Sequence, residues 1–370
     1  MLNQWFGAVR YTYNQVVERS RTRPASEDLG VAALRASFAK GAGIADWLRA
    51  VPFDVRDCAI RDFDKARKAQ FAKARLARKA GVEITPWTFR FKSSKGTQCF
   101  AVRGRDWGRK RGAYAGLFAK SQLKSAEPLP TTIDTDFRII KDPLGHFYVC
   151  LPRTVQPKSE SQAPTAHHSV VALDPGVRTF QTCFDADGTV TEWGGDDMTK
   201  IFQLCLAADR LQGRIKRAKG TKRKRRRLAW LRILERIRNK VDEMHKKMST
   251  WLCENHRVVL IPKFETQRMV RRSARKLHSK TARGMCTWAH YRFRQRLLQK
   301  AELYPWCKVV ECDEAYTSKT CGACGALHGK LGSNKTFVCP SCGYEADRDI
   351  SAARNILLRY LTREIGSPGG

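Results

Sequence analysis

SVVALDPGVRTF, residues 169–180, is a short unbroken apolar run that ends in Asp174 and a glycine-bearing turn. Such a run, bounded by a turn, reads as a strand buried on both faces, the kind that α/β sheets are built from. An acid at the carboxyl end of that strand stands where open α/β sheets place their sites. Two further runs follow, RVVLIP (257–262) and KVVEC (308–312). Between the first and second, Leu234, Ile237, Val241, Met244, Met248 and Trp251 recur at three- and four-residue steps and predict a long helix. One more helix is expected through Trp288, Tyr291 and Leu298, and a last one over ISAARNILLRYL (350–361). No internal repeat interrupts this order.

The acids fall at the ends of these elements. Asp174 closes the first strand, Glu311, Asp313 and Glu314 close the third, and Asp349 opens the last helix. Singly, each has a plain reading: Asp349 is a candidate N-cap, and Asp174 could shape a turn. Together they predict one carboxylate cluster at the sheet edge, the arrangement that two divalent cations need for in-line phosphodiester hydrolysis. Carboxylates, rather than His or Cys, suit hard Mg²⁺.

Between the third strand and the last helix lie two CxxC pairs, Cys321/Cys324 and Cys339/Cys342, each followed by a glycine (Gly325, Gly343). Four thiolates complete a tetrahedral zinc shell with no open position, so the site is expected to be structural. The 14 intervening residues fall just short of the usual spacing of about 15–20, which a hairpin with its tip near residues 330–335 would span. A redox dithiol would not need the second pair. The other nine of the thirteen cysteines are scattered singly (Cys58, Cys99, Cys150, Cys183, Cys205, Cys253, Cys286, Cys307 and Cys312) and read as reduced thiols of an intracellular protein.

Toward the N-terminus the period is helical. Leu2, Phe6, Val9, Tyr13 and Val16 share one stripe, and Val55, Ala59 and Phe63 begin a second helix that continues into KARKAQFAKARLARKAG. That second stretch is basic on nearly every exposed position, and Lys65, Arg67, Lys68, Lys73 and Arg75 are its candidate nucleic-acid contacts. From about Pro86 the pattern alternates: TFRFK, then FRIIK and HFYVCLP joined by a turn with Pro143 and Gly145, predict a small β domain. TVQPKSESQAPTAHHS has no periodicity and reads as a linker. A second basic cluster, residues 214–227 (RIKRAKGTKRKRRR), has ten Lys or Arg among fourteen. Arg214, Lys216, Arg217, Lys222, Arg223, Lys224, Arg225, Arg226 and Arg227 there suit a nucleic-acid contact or a nuclear import signal.

The whole chain has 370 residues, with 70 Lys+Arg against 35 Asp+Glu and a formal charge of +35. Its 42% hydrophobic content is that of a folded chain, not of a disordered basic tail. Two bases for every acid point to a polyanion, with nucleic acid the commonest. No apolar run approaches the roughly 20 residues needed to span a bilayer, and MLNQWFGAVRYTYN lacks the apolar core of a secretion signal.

These residues resemble a family. The order of strand with Asp174, basic helix pair, four-cysteine ribbon and CGYEADRDISAARNI (342–356) is similar to the RNA-guided nucleases of the TnpB and Fanzor group, distant relatives of type V CRISPR effectors. The similarity runs from WFGAVRYTYN through TFRFK and VVALDPGVRTF to the last helix. It implies a multidomain α/β plus β fold: a helical recognition domain (1–85), a β-barrel wedge domain (86–152), a linker (153–168) and an RNase H-like RuvC domain (169–316 and 346–366) with an inserted zinc ribbon (317–345). Asp174 matches the first RuvC acid of the family and Asp349 the third. The second departs from the TnpB pattern: where IEDL would place a glutamate after the strand, this chain has Pro262, in VVLIPKFETQRM. IPKFET and EAYTSKTC are similar to the Fanzor branch, where a glutamate just ahead of the ribbon substitutes, so Glu314 is the expected acid and Glu311 and Glu265 are its alternatives. Along an extended strand Glu311 and Glu314 point to opposite faces, so at most one enters the site. The start departs too, since family members open with a short basic wedge strand and here only residues 1–4 precede Trp5.

The resemblance implies an RNA-guided DNA endonuclease with one structural Zn²⁺, two catalytic Mg²⁺ and a structured guide RNA of the omega type. Its target would be duplex DNA with a short flanking motif, read as a monomeric ribonucleoprotein away from membranes, in a nucleus or a bacterial cytoplasm. A catalytically inactive, transposon-derived RNA/DNA-binding regulator is the alternative, favoured by Pro262. A basic zinc-ribbon protein of ribosome or transcription machinery would leave the three acid-bearing elements unexplained.

Overall fold

In a computed structural model the chain divides into two compact units, Met1–Thr154 and Val155–Gly370. Residues 1–22, 30–41, 43–83, 88–107, 125–130, 132–163, 170–273, 277–313, 316–329 and 334–365 are described.

In the first unit, helix α1 (Leu2–Thr22) buries Phe6, Val9, Tyr13 and Val16, with Trp5 beside them. After α2 (Val31–Arg35), which runs on into a π turn (Ala36–Lys40), and α3 (Asp46–Arg49) comes the long α4 (Phe53–Lys79). The first half of α4 buries Val55, Ala59 and Phe63; beyond Asp64 only Ala74 is buried. Strands β1 (Gln98–Val102), β2 (Phe137–Lys141) and β3 (Phe147–Cys150) form an antiparallel sheet in that order. The hairpin turn is built by Asp142, whose carboxylate accepts from the backbone N–H of Leu144 and His146, with Gly145 at φ 96°. Among the described residues these three strands are the whole sheet, and a closed barrel is not seen.

Helices and sheet share one core: Phe6 meets Phe100 at 4.9 Å between ring centroids, and Phe137 and Ile139 join the same cluster. The alternation of TFRFK serves this core without forming a strand. Asn14 of α1 exchanges two hydrogen bonds with the backbone of Lys92 (2.8 and 3.2 Å), Arg21 donates to the Phe89 carbonyl, and Phe89 packs inward. The extended segment thus pairs with a helix side chain where a sheet partner was expected.

The second unit is a five-stranded sheet with helices on both faces. Its strands are β4 (Val170–Pro175), β5 (Gln181–Asp185), β6 (Val190–Trp193), β7 (Val258–Pro262) and β8 (Lys308–Cys312), in the order β6-β5-β4-β7-β8. β4, β7 and β8 are parallel, and β5 is antiparallel to both of its neighbours. The helices are α5 (Asp197–Lys216), α6 (Gly220–Asn255), α7 (Thr266–Met269), α8 (Ser279–Trp288), α9 (His290–Ala301) and α10 (Arg348–Ile365). A small hairpin, β9 (Thr336–Val338) with β10 (Glu345–Asp347), precedes α10.

Val171, Leu173, Val259 and Ile261 face a core with Ile237, Val241 and Met248 of α6, Trp288 of α8 and Phe293 of α9. Ala172 and Leu260 face the other way, onto Ile356 and Leu357 of α10, with Val310 and Cys312 packed against them. Strand alternation therefore assigns even-numbered residues of β4, β7 and β8 to the α10 face and odd-numbered ones to the α6/α9 face. The helix expected through Trp288 and Leu298 is instead two helices. Ala289 takes a left-handed conformation (φ 53°, ψ 51°) between α8 and α9, and Tyr291 is left exposed.

Candidate functional site

The parity of the sheet sorts the acids. Asp174 lies on the α10 face at the carboxyl end of β4, half-buried. Asp349 lies in the first turn of α10. It is not the cap: Asp347 accepts from the backbone N–H of Asp349 (2.9 Å) and Ile350 (3.3 Å), which leaves the Asp349 carboxylate for another use. Burial, and then the neighbouring Asp347, push the Asp349 carboxyl above its ordinary value, while Arg348, Lys335 and Arg178 oppose the rise. Arg178, one of these cations, stands in the β4–β5 turn, four residues past Asp174.

The candidates for the second acid separate. Glu311 is odd-numbered and points to the α9 side, where Arg294 lies at 3.4 Å. Glu265 is exposed just after β7 and pairs with Arg268 at 3.8 Å. Both line a cavity of about 950 Å³ with Asp313, which Arg359 holds at 2.9 Å. All three are thus answered by cations of their own. Pro262 is buried at the end of β7 on Asp174's face, and its register partner on β8 is Cys312. Glu314 lies outside the described residues.

The four cysteines come together. Cys321 and Cys342 are 3.7 Å apart at sulfur, Cys324 and Cys339 are 3.6 Å apart, and all four sulfurs lie within 4.8 Å of one another. A tetrahedral zinc with bonds of ~2.3 Å would set sulfur–sulfur edges of about 3.8 Å, so the set fits that ion. Each pair sits in the same knuckle. Gly325 (φ 78°) and Gly343 (φ 70°) donate to the carbonyls of Cys321 and Cys339, and those cysteines donate to Ala326 and Tyr344. Left-handed backbone at both turns is what glycine permits. Backbone N–H groups of Cys342 and Ser341 draw the Cys339 thiol down to about 6, toward the thiolate a metal needs.

Lys65, Lys68, Lys73 and Arg75 are exposed along the second half of α4. Arg67 and Lys68 are spoken for in part, at 3.0 and 2.8 Å from Asp64, and these bonds, Lys68's first, hold that carboxyl low. Arg214, Lys216 and Arg217 close α5, while Lys222, Arg223, Lys224, Arg225, Arg226 and Arg227 open α6. Only Arg226 and Arg227 of these nine are half-buried, and Arg226 donates to the Arg214 carbonyl. Cations at a helix N-terminus oppose the helix dipole, so the first turns of α6 carry a local cost that an external polyanion would offset.

Several residues of consequence carry no signal in the sequence. Trp288 donates its indole N–H to Val177 (2.9 Å) and accepts from His245 at its carbonyl (2.9 Å). The Phe180 ring lies between His245 and His290, 5.0 Å from each. Burial lowers His245 to about 4 and His290 to about 3, so both are neutral. A helical pattern shows these side chains only as apolar or polar positions; their meeting is a product of the tertiary fold.

A family model described as "Probable transposase" matches residues 151–273, and one described as "Cas12f1-like, TNB domain" matches 290–356. Together they cover the sheet, the basic hairpin and the cysteine cluster. In both models and in its relatives the chain is similar to the TnpB group of transposon-encoded proteins. It is 37% identical over 239 residues to a candidate transposase, A625R, of Paramecium bursaria Chlorella virus 1, covering 63% of this chain and 52% of that protein. It is 29% identical over 288 residues to the TnpB-like protein L79 of Acanthamoeba polyphaga mimivirus, covering 74% and 51%. A Streptomyces pristinaespiralis protein named as a candidate RNA-guided DNA endonuclease is 26% identical over 382 residues, covering 97% of this chain and 85% of that one. The chain spans about half the length of the viral relatives it matches. Among the described residues no helix is long and apolar enough to cross a membrane.

Proposed function

We propose that this protein is an RNA-guided DNA endonuclease whose RuvC-type site is formed by Asp174, Asp349 and Glu314. The observation that supports the reading is that Asp174 ends β4 in step with Ala172, which packs on α10, the helix whose first turn carries Asp349, and that Asp347 rather than Asp349 takes the cap. A carboxyl raised by burial and by a neighbouring acid is short of positive charge, which suits a divalent-cation ligand. When bound, two Mg²⁺ would supply an activated water and stabilise the leaving oxygen. The chain's own part is to hold the carboxylates and to bring a phosphate to them.

The strand order, with only the second strand of the sheet antiparallel, supports the RNase H-like reading of residues 169–316 and 346–366. Pro262 occupies the row where the TnpB pattern has its glutamate, and Cys312 is its partner on β8. Glu311 is turned to the α9 side and paired with Arg294, which favours Glu314, two residues past Cys312 in the sequence. The recognition (1–85), wedge (86–152) and ribbon (317–345) assignments belong to the same reading, as do one structural Zn²⁺ and a monomeric complex of chain, guide RNA and target duplex. Nuclear residence follows if the host is eukaryotic or its virus, and bacterial cytoplasm if not. The basic α4 and the α5–α6 hairpin would carry nucleic-acid backbone.

The test is cleavage by the protein purified with its co-expressed RNA. Asp174→Ala or Asp349→Ala should keep RNA binding and abolish cutting of matching DNA. Undiminished cutting by either variant would remove the mechanism. Pro262 also favours a second reading, a nucleic-acid-binding regulator without activity; its mark would be intact guided binding with no nicked product at any Mg²⁺ concentration.

A further inference from the structure

We propose that the cavity walled by α8, α9 and the chain after β7 is a nucleotide-binding site, in which Tyr291 stacks on the base and Lys263 and Arg271 hold the phosphate. The inference goes beyond the nuclease reading and does not depend on it, since neither Asp174 nor Asp349 lines this cavity.

The cavity has a volume of about 800 Å³, within the range of roughly 300–1,000 Å³ that small-molecule sites occupy. Its lining holds four cations, Lys263, Arg268, Arg271 and Arg294, and one acid, Glu265. Arg268 is paired with that acid and Arg294 with Glu311. Lys263 and Arg271 are exposed and form no ion pair within 4 Å among the described residues. A concave surface with uncompensated positive charge concentrates anions. The anion that fits this one is aromatic. Tyr291 is 63% exposed on the same wall, with the Arg294 guanidinium 5.4 Å from its ring centroid. An exposed aromatic ring beside a cation is a platform on which any base stacks.

The backbone is bent where it presents that ring. Ala289, which also lines the cavity, is the left-handed residue between α8 and α9, and the two residues after it part: His290 is 4% exposed, Tyr291 63%. Strain at a non-glycine residue persists only where its surroundings impose it, and it gathers at binding sites. The floor is polar and unfinished. His290 Nε2 and Thr266 Oγ1, both on cavity-lining residues, are buried without a hydrogen-bond partner among the described residues. So is Oε1 of Gln181, whose Nε2 lies 3.5 Å from His290 Nδ1. Gln181 lines, with His290, Tyr291 and Arg294, a recess of about 10 Å³, room for about one water or one amino group. Buried polar atoms of folded proteins are nearly always paired. Unpaired atoms gathered at one floor point to an occupant with donors and acceptors of its own, which the edge of a base supplies.

The test uses the full chain freed of RNA, with adenosine 5′-monophosphate (AMP), adenosine and a short single-stranded oligodeoxyadenylate as probes. Cys286, exposed on the cavity wall, reports occupancy. Saturating AMP or strand should slow its alkylation, followed at that peptide by mass spectrometry, while AMP leaves the rate of exposed Cys150 unchanged. Tyr291→Ala should weaken binding about 5- to 150-fold, the usual loss when one base leaves an aromatic platform, and Tyr291→Phe should restore it. Lys263→Ala combined with Arg271→Ala should weaken AMP by about tenfold and leave adenosine unchanged, because those cations hold only the phosphate. These positions are exposed, so the thermal midpoint should not move. Protection by AMP that depends on Tyr291 assigns the site to a free nucleotide. Protection by the strand alone, with the same dependence, assigns it to an unpaired nucleotide of a bound nucleic acid; either result upholds the nucleotide site. Alkylation of Cys286 at its free rate under both probes, or wild-type binding by Tyr291→Ala, would overturn it and leave the floor to water.

Discussion

Asn355 belongs to the AARNI string that follows the acid of α10, and its carboxamide turns out to hold the cysteine cluster. It donates to the carbonyls of Thr317 (2.8 Å) and Thr320 (2.7 Å), while Arg354 donates to Gly322 (2.9 Å), so the first knuckle is lashed to α10 by two consecutive side chains. Asn355→Leu keeps the bulk and removes both donors from a buried position. Losing both bonds at a buried position predicts a loss of about 2–4 kcal/mol, read as a lower urea midpoint, together with faster metal loss to a chelator from protein loaded beforehand with one zinc per chain. An unchanged midpoint and release rate would show that the knuckle stands without α10. At this scale the cysteines were legible because ligand spacing is local, and Asp174 because it ends an apolar run. The second acid was not: Glu311 and Glu314 look alike in ECDEA (311–315), and only the packing of Val310 and Cys312 against α10 turns Glu311 away.

The element that sequence periodicity misjudged most is the corner between α8 and α9. Trp288 and Leu298 fit one helix, but Ala289 breaks it because the Trp288 indole must reach Val177 and His290 must enter beneath Phe180. Apolar periodicity carries no term for such a break. The same corner makes stability depend on pH. Both histidines have folded values below that of the unfolded chain, near 6.5, His245 at about 4 and His290 at about 3. Between those values the unfolded chain binds protons that the folded chain refuses. Stability is therefore complete above about pH 6.5 and falls as pH drops through the window, by several kcal/mol on the order of pH 4. His245 is faced by Arg292 and Arg296, which disfavour its protonation, and by Asp242, which favours it less than burial opposes it. Urea unfolding between pH 6.5 and 5 should show uptake approaching two protons, and His290→Phe should remove about half of that slope. A flat profile in this window would mean that the imidazoles are charged or exposed in the native protein.

Across the whole molecule, the charge of +35 is distributed with more purpose than composition reveals. In the first unit, α4 answers its buried acids internally: Asp57 is fully buried against Arg35 at 2.6 Å and Arg61 at 3.2 Å, and Asp64 takes Arg67 and Lys68. In the second, residues 214–227 at the α5–α6 turn have no acid among them and crowd the positive end of the α6 dipole. The turn cluster should therefore contribute more counterion release per residue than α4. Replacing Lys222, Arg223 and Lys224 with alanine should reduce the slope of log affinity against log salt by roughly 2–3 for a duplex probe, at about 0.9 per phosphate contact. The triple change Lys65, Lys73 and Arg75 to alanine should reduce it by a like amount only if α4 meets the same strand, and Arg67→Ala with Lys68→Ala by less, since Asp64 already engages both. Fluorescence anisotropy across a salt series measures all three. An unchanged slope after removal of the turn cations would assign them to solvent, and would leave the unfavourable start of α6 without a partner to explain it.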